Sequence, residues 1–287
     1  MSADELAQEE PLTFDPSEFE HRVALERRHY WHRHRKQVLL EALQRVSGAR
    51  SAADPRGAAR LVEVGCGIGT VATHLNLAGY QVDYAELHRE GLELAQAEAE
   101  AQLGAAAKAR RFFELDIQSA ELPSGYDGAL MFDVLEHLPD DVRALSHLRA
   151  GLTGAHSSRA RRSSFVLLTV PAFQLLWSPW DEVEHHQRRY TRAQLTSVAR
   201  AAGFELERAT YFFAPLFFAA LSVKGLRAAR AALLGAPPPA KMPELLEARD
   251  LPLVNQLALR VLQPERRWLR SRSLPLGTSL LAVLRPR

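Results

Sequence analysis

Short apolar runs alternate with amphipathic stretches through the middle of the chain. The runs have the length and composition of buried strands, and the stretches between them repeat apolar residues at the helical period. Strands separated by helices indicate an α/β domain with a parallel sheet. We predict strands from Leu61 onward and over Tyr80–Leu87, Arg111–Ile117, Tyr126–Val134, Phe165–Val170, Phe204–Phe212 and Ser279–Leu284. Helices are predicted over Ser17–Arg45, Glu90–Leu103 and Thr191–Ala202, the last one capped by Gly203.

The remaining segments divide the chain around this alternating core. We predict a disordered acidic tail over 1–18, a helical cap and linker over 19–58, the core over 59–212, a helical insertion over 213–275, and a last core strand with the C-terminus over 276–287. The stretch 154–164 reads as a basic, mobile loop. Long connections within compact domains often carry a lid or a binding surface, so the insertion is a candidate for function.

The first predicted strand opens into glycines at alternate positions. Leu61–Thr70 reads Leu-Val-Glu-Val-Gly-Cys-Gly-Ile-Gly-Thr, and a helical pattern follows. Such glycines let the backbone approach a ligand closely, because a Cβ at these positions would intrude. A dinucleotide fingerprint has a glycine or another small residue at the sixth position, where this chain has Thr70. This spacing argues against a nicotinamide dehydrogenase, which stays an alternative function.

Carboxylates stand at the ends of the next three predicted strands. Glu86 lies about 20 residues after the first glycine, where nucleotide-binding α/β units carry a ribose-binding acid. Asp116 ends the third strand, and Asp133 follows the fourth. Because ligands of open α/β sheets bind beyond the carboxyl ends of the strands, we expect these acids to lie close to one bound ligand.

Composition limits the classes of partner. The chain has 287 residues, 47% of them hydrophobic, which suffices for a substantial core. A formal net charge of +2 gives no strong field toward nucleic acid, and we expect no nucleic-acid partner. The single cysteine, Cys66, excludes internal disulfides and fits a reducing cytoplasm; we expect it to fill space in the glycine turn.

The same sequence lacks the basic-then-apolar order of a signal peptide and has no apolar run long enough for a membrane span. We therefore expect a cytoplasmic protein, with peripheral contact at the inner face of the membrane as a further expectation. That contact would use residues 212–235, where Pro215 can start a helix that carries Lys224, Arg227 and Arg230. The alternative is a cap helix packed on the sheet edge.

The glycine spacing and the acidic strand ends resemble those of class I S-adenosylmethionine (SAM) methyltransferases of the small-molecule type. More narrowly, the chain resembles a bacterial subgroup found with enzymes of glycan and lipid-glycan biosynthesis. The matching positions are His29, Trp31 and Arg35, then Asp133–Leu138, Val170–Ala172, Leu176–Ser178, Asp181 and His186–Tyr190. The resemblance implies a Rossmann-like fold: a mostly parallel seven-stranded sheet with an antiparallel last strand, helices on both faces, and the helical insertion between strands six and seven.

The resemblance also implies SAM as the cofactor, held by the glycine turn and the acidic strand ends. The predicted cofactor-binding residues are Glu63, Gly65, Gly67, Gly69, Glu86, Leu87, Asp116, Ile117, Asp133, Trp31 and Arg35. Glu86 would hold the ribose hydroxyls, and Asp116 with the backbone of Ile117 would read the adenine. Trp31 and Arg35 would close over the cofactor, with the guanidinium available to its carboxylate.

Two histidine-rich places compete for the role of the base. Methyl transfer to a hydroxyl requires removal of a proton, and histidine titrates near the operating pH. We predict His186 as the base, oriented by Asp181, and keep His137 as the second candidate. Ubiquinone-biosynthesis O-methyltransferases, which the Asp133–Leu138 segment also resembles, bind a divalent metal there; for this chain we expect no metal and keep Asp133, Glu136 and His137 as the alternative ligand set.

The segment after the fifth strand is expected to form the acceptor pocket. The predicted substrate-binding residues are Trp177, Arg188, Arg189 and Tyr190, because the two guanidiniums could grip an acidic acceptor. An alternative is that these arginines pair with Asp181 and lock the loop. The function predicted is O-methylation of a small-molecule, sugar or lipid-linked acceptor. The alternatives are a metal-assisted O-methyltransferase of a quinone- or phenol-like substrate and a non-catalytic SAM-binding protein.

Overall fold

The computed structural model describes residues 23–46, 58–154, 164–234 and 251–287. The predicted acidic tail (1–18), most of the predicted linker and the predicted basic loop lie outside these residues. The described part contains one seven-stranded sheet, as predicted. Its strands are β1 Arg60–Val64, β2 Gln81–Glu86, β3 Phe112–Glu114, β4 Gly128–Phe132, β5 Phe165–Pro171, β6 Phe204–Phe212 and β7 Ser279–Pro286.

The strand order is β3-β2-β1-β4-β5-β7-β6. The pairs from β3 to β5 are parallel, and β7 inserts antiparallel between β5 and β6. This arrangement confirms the predicted mostly parallel sheet with an antiparallel last strand. Because the order reverses between β1 and β4, the carboxyl ends of these two strands border a crevice, which is the usual ligand site in open α/β sheets.

Helices cover both faces of the sheet. They are α1 Tyr30–Arg45, α2 Thr70–Leu77, α3 Arg89–Leu103, α4 Asp141–Gly154, α5 Pro179–Val183, α6 Arg192–Ala201, α7 Ala214–Leu234 and α8 Pro252–Leu269. One buried apolar cluster joins the sheet to α4 and α6, and the other joins its opposite face to α1, α2, α3 and α8. Buried strands such as β4 and β5 read as continuous apolar runs because both their faces are covered.

The predicted single helix from Ser17 to Arg45 is wrong, because the helix is interrupted at His29. His29 is extended, with φ −67° and ψ 135°, and serves as the N-cap of α1. The next backbone amide, that of Tyr30, donates to the side-chain oxygen of Asn255 in α8 at 3.0 Å. Asn255, on the distant helix α8, thus accepts from the Tyr30 amide. In a continuous helix this amide would donate to a backbone carbonyl of the same helix.

The third strand is shorter than the predicted Arg111–Ile117. Its end is set by Asp116, whose carbonyl accepts from the amides of Ser119 and Ala120 and whose carboxylate accepts from the amide of Gln118. This turn ends the pairing with β2 after Glu114. Side chains that hydrogen-bond their own neighbouring backbone compete with sheet pairing in this way.

The insertion between β6 and β7 is helical, as predicted. The carboxylate of Glu265 in α8 accepts from the amides of Phe213 (2.8 Å) and Ala214 (2.6 Å), so α8 satisfies two free donors at the start of α7. α8 also packs along α1. In the described segments, none of the helices combines the length and apolarity needed to traverse a bilayer.

Candidate functional site

The glycine turn follows β1 at the sheet's crevice. Gly65, Gly67 and Gly69 all have positive φ, at 70°, 52° and 72°. A Cβ at Gly65 would lie 2.5 Å from a methyl carbon of Val134, and one at Gly69 would lie 2.8 Å from the Cβ of Ala95. A Cβ at Gly67 would meet nothing within 4 Å. Two glycines therefore permit close packing beneath the turn, while Gly67 borders open space.

That open space is a cavity of about 250 Å³ in front of the turn. Glu63 lies at its back, and one of its carboxylate oxygens has no hydrogen-bond partner among the described residues. Burial raises the pKa of Glu63 to about 8, against a smaller opposing effect of Arg35. The cavity is lined by Glu26, Arg35, Glu63, Gly65, Cys66, Gly67, Ile68, Thr70, Val71 and Phe132. A backbone cradle with an unpaired buried carboxylate fits a ligand that carries positive charge, as SAM does.

Glu86 joins the second strand to the glycine turn. One carboxylate oxygen accepts from the amide of Gly67 at 2.7 Å, and the other accepts from the amides of Leu87 (2.8 Å) and His88 (3.3 Å). The Leu87 side chain is half exposed at this edge. The Glu86 carboxylate thus lies beside the cavity. Glu86 is the residue predicted to hold the ribose hydroxyls.

The carboxylate predicted to read the adenine belongs to Asp116. It accepts from the amide of Gln118 at 2.9 Å and from the hydroxyl of Ser119 at 2.7 Å. Ile117 beside it is buried. The fold places these residues at the carboxyl ends of the adjacent strands β2 and β3. The roles of Asp116, Ile117, Glu86 and Leu87 toward the cofactor stay predictions.

Helix α1 brings Arg35 to the cavity. Its guanidinium pairs with the carboxylate of Asp133 at 2.6 Å and stands 5.3 Å from the ring of Trp31. Trp31 stacks on Phe213, with ring centroids 5.5 Å apart. Asp133 has a positive φ of 56° and also accepts from the hydroxyl of Thr169. Arg35 therefore has a protein carboxylate as its partner, and its predicted contact with the cofactor's carboxylate stays a prediction.

Sequence reasoning missed Glu26 as a residue of this cavity. Glu26 lies on the helical turn before His29, lines the cavity and accepts from the hydroxyl of Thr70. Cys66 also lines the cavity, and burial raises the pKa of its thiol well above the usual value. Nothing in the local sequence around Glu26 marks it, because the contact depends on how α1 packs against the sheet.

The two competing histidines lie together. The rings of His137 and His186 are 4.8 Å apart between centroids and meet edge to face. Burial, followed by the nearby His186, lowers the pKa of His137. Glu136 is fully buried beside them, and burial followed by the charge of Asp133 raises the pKa of its carboxyl well above the usual value. The fold thus brings His137 and His186, the two alternative candidates for the base, into one cluster.

Asp181 holds this cluster in place from a fully buried position. Its carboxylate accepts from Nδ1 of His186 at 2.8 Å and from two guanidinium nitrogens of Arg189 at 2.7 and 2.9 Å. Burial alone would raise the pKa of Asp181, but the hydrogen bonds from His186 and Arg189 outweigh it and lower that pKa. The same carboxylate caps α5 by accepting from the amide and hydroxyl of Ser178.

The predicted substrate-binding residues have partners within the chain. Arg188 pairs with Asp141 at 3.1 Å, and the hydroxyl of Tyr190 donates to the same carboxylate at 2.9 Å. Trp177 contributes its carbonyl oxygen to the ammonium of Lys224 at 2.6 Å. This geometry, with Arg189 on Asp181, corresponds to the alternative in which the arginines lock the loop. Direct contact of these residues with a substrate stays a prediction.

The site as a whole separates into two adjoining parts. The glycine turn, Glu63 and Glu86 can hold a cofactor, and the His186–Asp181 pair can orient an acceptor and take its proton. Asp133 connects them, since it pairs with Arg35 at the cavity and opens the segment that carries His137.

Comparison with known proteins identifies the family of the chain. A family described as "Methyltransferase domain" matches residues 30–209, more than half of the chain. A ubiquinone biosynthesis O-methyltransferase of Chromobacterium violaceum is 29% identical over 153 residues, which are 52% of this chain and 65% of that protein. The match thus spans slightly less than two thirds of the relative's length.

Solved structures show the same fold at low sequence identity. A candidate methyltransferase in complex with the Trm112 methyltransferase activator of Haloferax volcanii has a TM-score of 0.55 at 14% identity, covering 94% of this chain and 95% of its own. A candidate sarcosine dimethylglycine methyltransferase from Galdieria sulphuraria has a TM-score of 0.53 at 15% identity, covering 88% and 84%. With the glycine cradle and the family match, the chain belongs to the methyltransferase-domain family.

Proposed function

We propose that this enzyme methylates a hydroxyl oxygen of a small acceptor, either a sugar, a lipid-linked glycan or another small hydroxylated molecule, with His186 as the base. Bound SAM supplies an electrophilic methyl group whose leaving group departs neutral, so the chain needs no acid on that side. The remaining tasks are to position the hydroxyl in line and to remove its proton. Those tasks fall to the residues around Asp181.

One observation carries the proposal: Nδ1 of His186 lies 2.8 Å from an oxygen of the buried Asp181. When Nδ1–H donates to this carboxylate, Nε2 is the ring nitrogen left as an acceptor, which is the form that a general base requires. Arg189 and Ser178 hold the same carboxylate, so the imidazole is oriented by a rigid group. His137 stands against His186 and supports the ring's orientation from the other side.

The test is transfer of labelled methyl from SAM to a panel of phenols, sugars and lipid-linked glycans, with wild-type enzyme and His186→Ala. We expect a labelled methyl ether with the wild type and strongly reduced product with the variant. A product methylated on nitrogen or carbon would contradict O-methylation. Equal product from both enzymes would remove His186 from the role of base.

A specific observation supports a second candidate, a metal-assisted O-methyltransferase with a phenol- or quinone-like acceptor. Glu136, His137 and His186 each offer one donor atom, and these atoms lie within 4.8 Å of one another. Both carboxylate oxygens of Glu136 lack a partner among the described residues, and a cation would pair with them. This set differs from the predicted Asp133, Glu136 and His137, because Asp133 pairs with Arg35. Two relatives are named ubiquinone biosynthesis O-methyltransferases, and the phenol- or quinone-like acceptor class comes from that name.

Calorimetry separates the two candidates. Oxygen and imidazole ligands suit magnesium, manganese or zinc, so each ion is titrated into metal-free wild type and into Glu136→Gln. If the metal-assisted candidate is correct, the wild type binds one of these ions and Glu136→Gln does not. The metal-free candidate requires no stoichiometric binding and activity that survives a chelator.

A further inference from the structure

The structure exposes a group of large apolar side chains next to the acceptor side of the site. The fractions exposed are 63% for Leu175, 52% for Trp180, 65% for Val183, 58% for Phe218 and 73% for Leu226. We call these five residues the docking face. The first three belong to the segment after β5, and the last two belong to α7. Apolar side chains grouped at this density on a surface mark a contact with a partner or a membrane.

The two parts of the docking face are joined by specific contacts. The ammonium of Lys224 in α7 donates to the carbonyl oxygens of Leu175 at 2.7 Å and Trp177 at 2.6 Å. Phe217 meets the ring of Phe173 edge to face at 5.5 Å. Because the segment held by α7 leads directly into Ser178 and α5, the docking face adjoins the residues that orient His186.

Helix α7 is covered only near its start. Phe217 is buried, whereas every side chain that the structure describes between Leu221 and Arg230 is exposed. The exposed part includes the apolar side chains of Leu221, Val223 and Leu226. The alternative prediction, a cap helix packed on the sheet edge, therefore holds only for the start of α7, just after Phe213.

Among the described side chains, the exposed charges of both insertion helices are cationic. α7 exposes Lys224 and Arg230, and its sequence has no Asp or Glu. In α8 the single acid, Glu265, is buried and occupied by the amides of Phe213 and Ala214. Cationic groups next to exposed apolar side chains complement the anionic surface of a bilayer.

Helix α8 repeats this composition. Leu253, Leu257, Val261 and Trp268 are exposed by 81%, 64%, 53% and 45% and recur at helical spacing. Arg260 and Arg267 are also exposed on α8. Tryptophan is the side chain that most favours the level of lipid headgroups.

We propose that the docking face binds the surface of an anionic membrane and that the acceptor is anchored in that membrane. This inference rests on the proposed function, because it names the source of the acceptor for the His186 site. A second copy of the chain suits the face less well, since a two-fold contact would set like charges of α7 opposite each other. A lipid-linked acceptor would then reach His186 from the membrane along the Trp180 side.

The test is flotation of the full chain with vesicles of phosphatidylcholine alone or mixed equally with phosphatidylglycerol. We expect binding to the anionic vesicles that salt weakens, and binding to neutral vesicles that is weaker by about tenfold or more. In the double variant Phe218→Glu, Leu226→Glu we expect the anionic binding to fall by at least about tenfold, because two anchors become anions.

Leu77→Glu is the matched control, because Leu77 is 58% exposed and lies on α2, outside the docking face. We expect it to bind vesicles like the wild type. No binding to anionic vesicles, equal binding to neutral ones, or wild-type binding by the double variant would overturn the proposal. A dimer in size-exclusion chromatography that the double variant dissociates would assign the face to a second copy and also overturn it.

SAM calorimetry on the same preparations keeps the two proposals apart. A double variant that binds SAM normally but not vesicles supports the docking face. Absent vesicle binding with intact methyl transfer to a water-soluble acceptor would overturn this inference alone. Intact vesicle binding with no O-methyl product from any acceptor would overturn the proposed function instead.

Discussion

The donor side and the acceptor side of this enzyme are built by different means. The donor side is made mainly of backbone: the positive φ angles of Gly65, Gly67 and Gly69 shape the cradle, and Glu86 fastens it. The acceptor side is made of side chains: Asp181 holds His186 and Arg189 of its own segment, and His137, from the segment after β4, meets the ring of His186. A Cβ added at Gly65 or Gly69 would clash with its neighbours. Removal of a partner of Asp181 would instead leave a buried charge without its hydrogen bonds. The two sides should therefore fail differently on substitution.

The largest expected effect is on the acceptor side. His186→Ala should lower kcat by about 10²- to 10⁴-fold, the usual contribution of a general base. The affinity for SAM, measured by calorimetry, should stay unchanged, because the glycine turn and Glu86 are untouched. His185→Asn is the control: His185 is exposed and has a φ of 54°, which asparagine tolerates. A loss of SAM binding in His186→Ala would make His186 a structural residue.

The next largest effect concerns the buried pair of Arg189 and Asp181. Arg189→Met should lower the free energy of unfolding by about 3 to 5 kcal/mol, because the fully buried Asp181 loses two charged donors. Arg188→Met is the matched comparison; the side chain of Arg188 is 33% exposed, so its loss should cost about 1 kcal/mol or less. Urea unfolding measures both. Equal losses would show that the loop is not organised around Asp181.

The next prediction, whose effect is smaller per pH unit, tests the buried acid of the donor side. Because the pKa of Glu63 is about 8 in the folded chain against an ordinary 4.5, the folded state keeps a proton that the unfolded state releases in this range. The free energy of unfolding should therefore fall as pH rises from the ordinary value to 8, by at most about 1.4 kcal/mol per pH unit. Glu63→Gln should remove this contribution.

Urea unfolding of both proteins without cofactor, at about pH 5 and about pH 8, measures the difference in slope. The comparison with Glu63→Gln is needed because other buried groups, such as Glu136, add their own pH dependence to both proteins. Parallel pH profiles would mean that Glu63 is ionised in the folded chain.

The smallest expected effect comes from one added methyl group on the donor side. Gly69→Ala combines a φ of 72° with Cβ contacts of 2.8 Å to Ala95 and 3.1 Å to Tyr84. Gly104→Ala is the matched control, since its φ is 56° and its Cβ would meet nothing within 4 Å. We expect Gly69→Ala to be less stable than this control by about 1 to 3 kcal/mol.

Calorimetry should also show weaker SAM binding for Gly69→Ala alone, since only this substitution displaces the turn. Thermal unfolding supplies the stability difference. Equal stability and equal affinity in the two variants would show that the cradle yields easily, which would remove the main contrast between the two sides.

Much of the fold was predictable because its signals are local. The predicted strand Phe204–Phe212 has the observed bounds, and the predicted helix Thr191–Ala202 differs from α6 by one residue at each end. A buried strand and a capped amphipathic helix carry their information in their own composition. Errors occurred where a side chain or a distant element intervened. Asp116 forms a turn that ends β3 early, and the helix is interrupted at His29, where Asn255 accepts from the backbone amide of Tyr30.

The candidate site was predictable in its members but not in its arrangement. His137 and His186 were separate alternatives in the sequence, 49 positions apart, and the fold brings their rings to 4.8 Å between centroids. Arg188 and Arg189 were candidate substrate ligands, with pairing to Asp181 as the alternative; the fold pairs Arg189 with Asp181 but pairs Arg188 with Asp141. Which charge meets which depends on how three loops at the sheet's edge pack together, and no local pattern encodes that.

The sequence by itself determined the methyl-donor side, because a strand, a tight glycine turn and acids at successive strand ends are set by backbone rules within short stretches. Only the tertiary structure decided the acceptor side and the exposed face of the insertion. A buried charge must find its partner across the fold, and an apolar helix face is exposed or covered according to what packs against it. The pair of Asp141 and Arg188, 47 positions apart in the chain, is one example, and Leu226, which is 73% exposed, is the other.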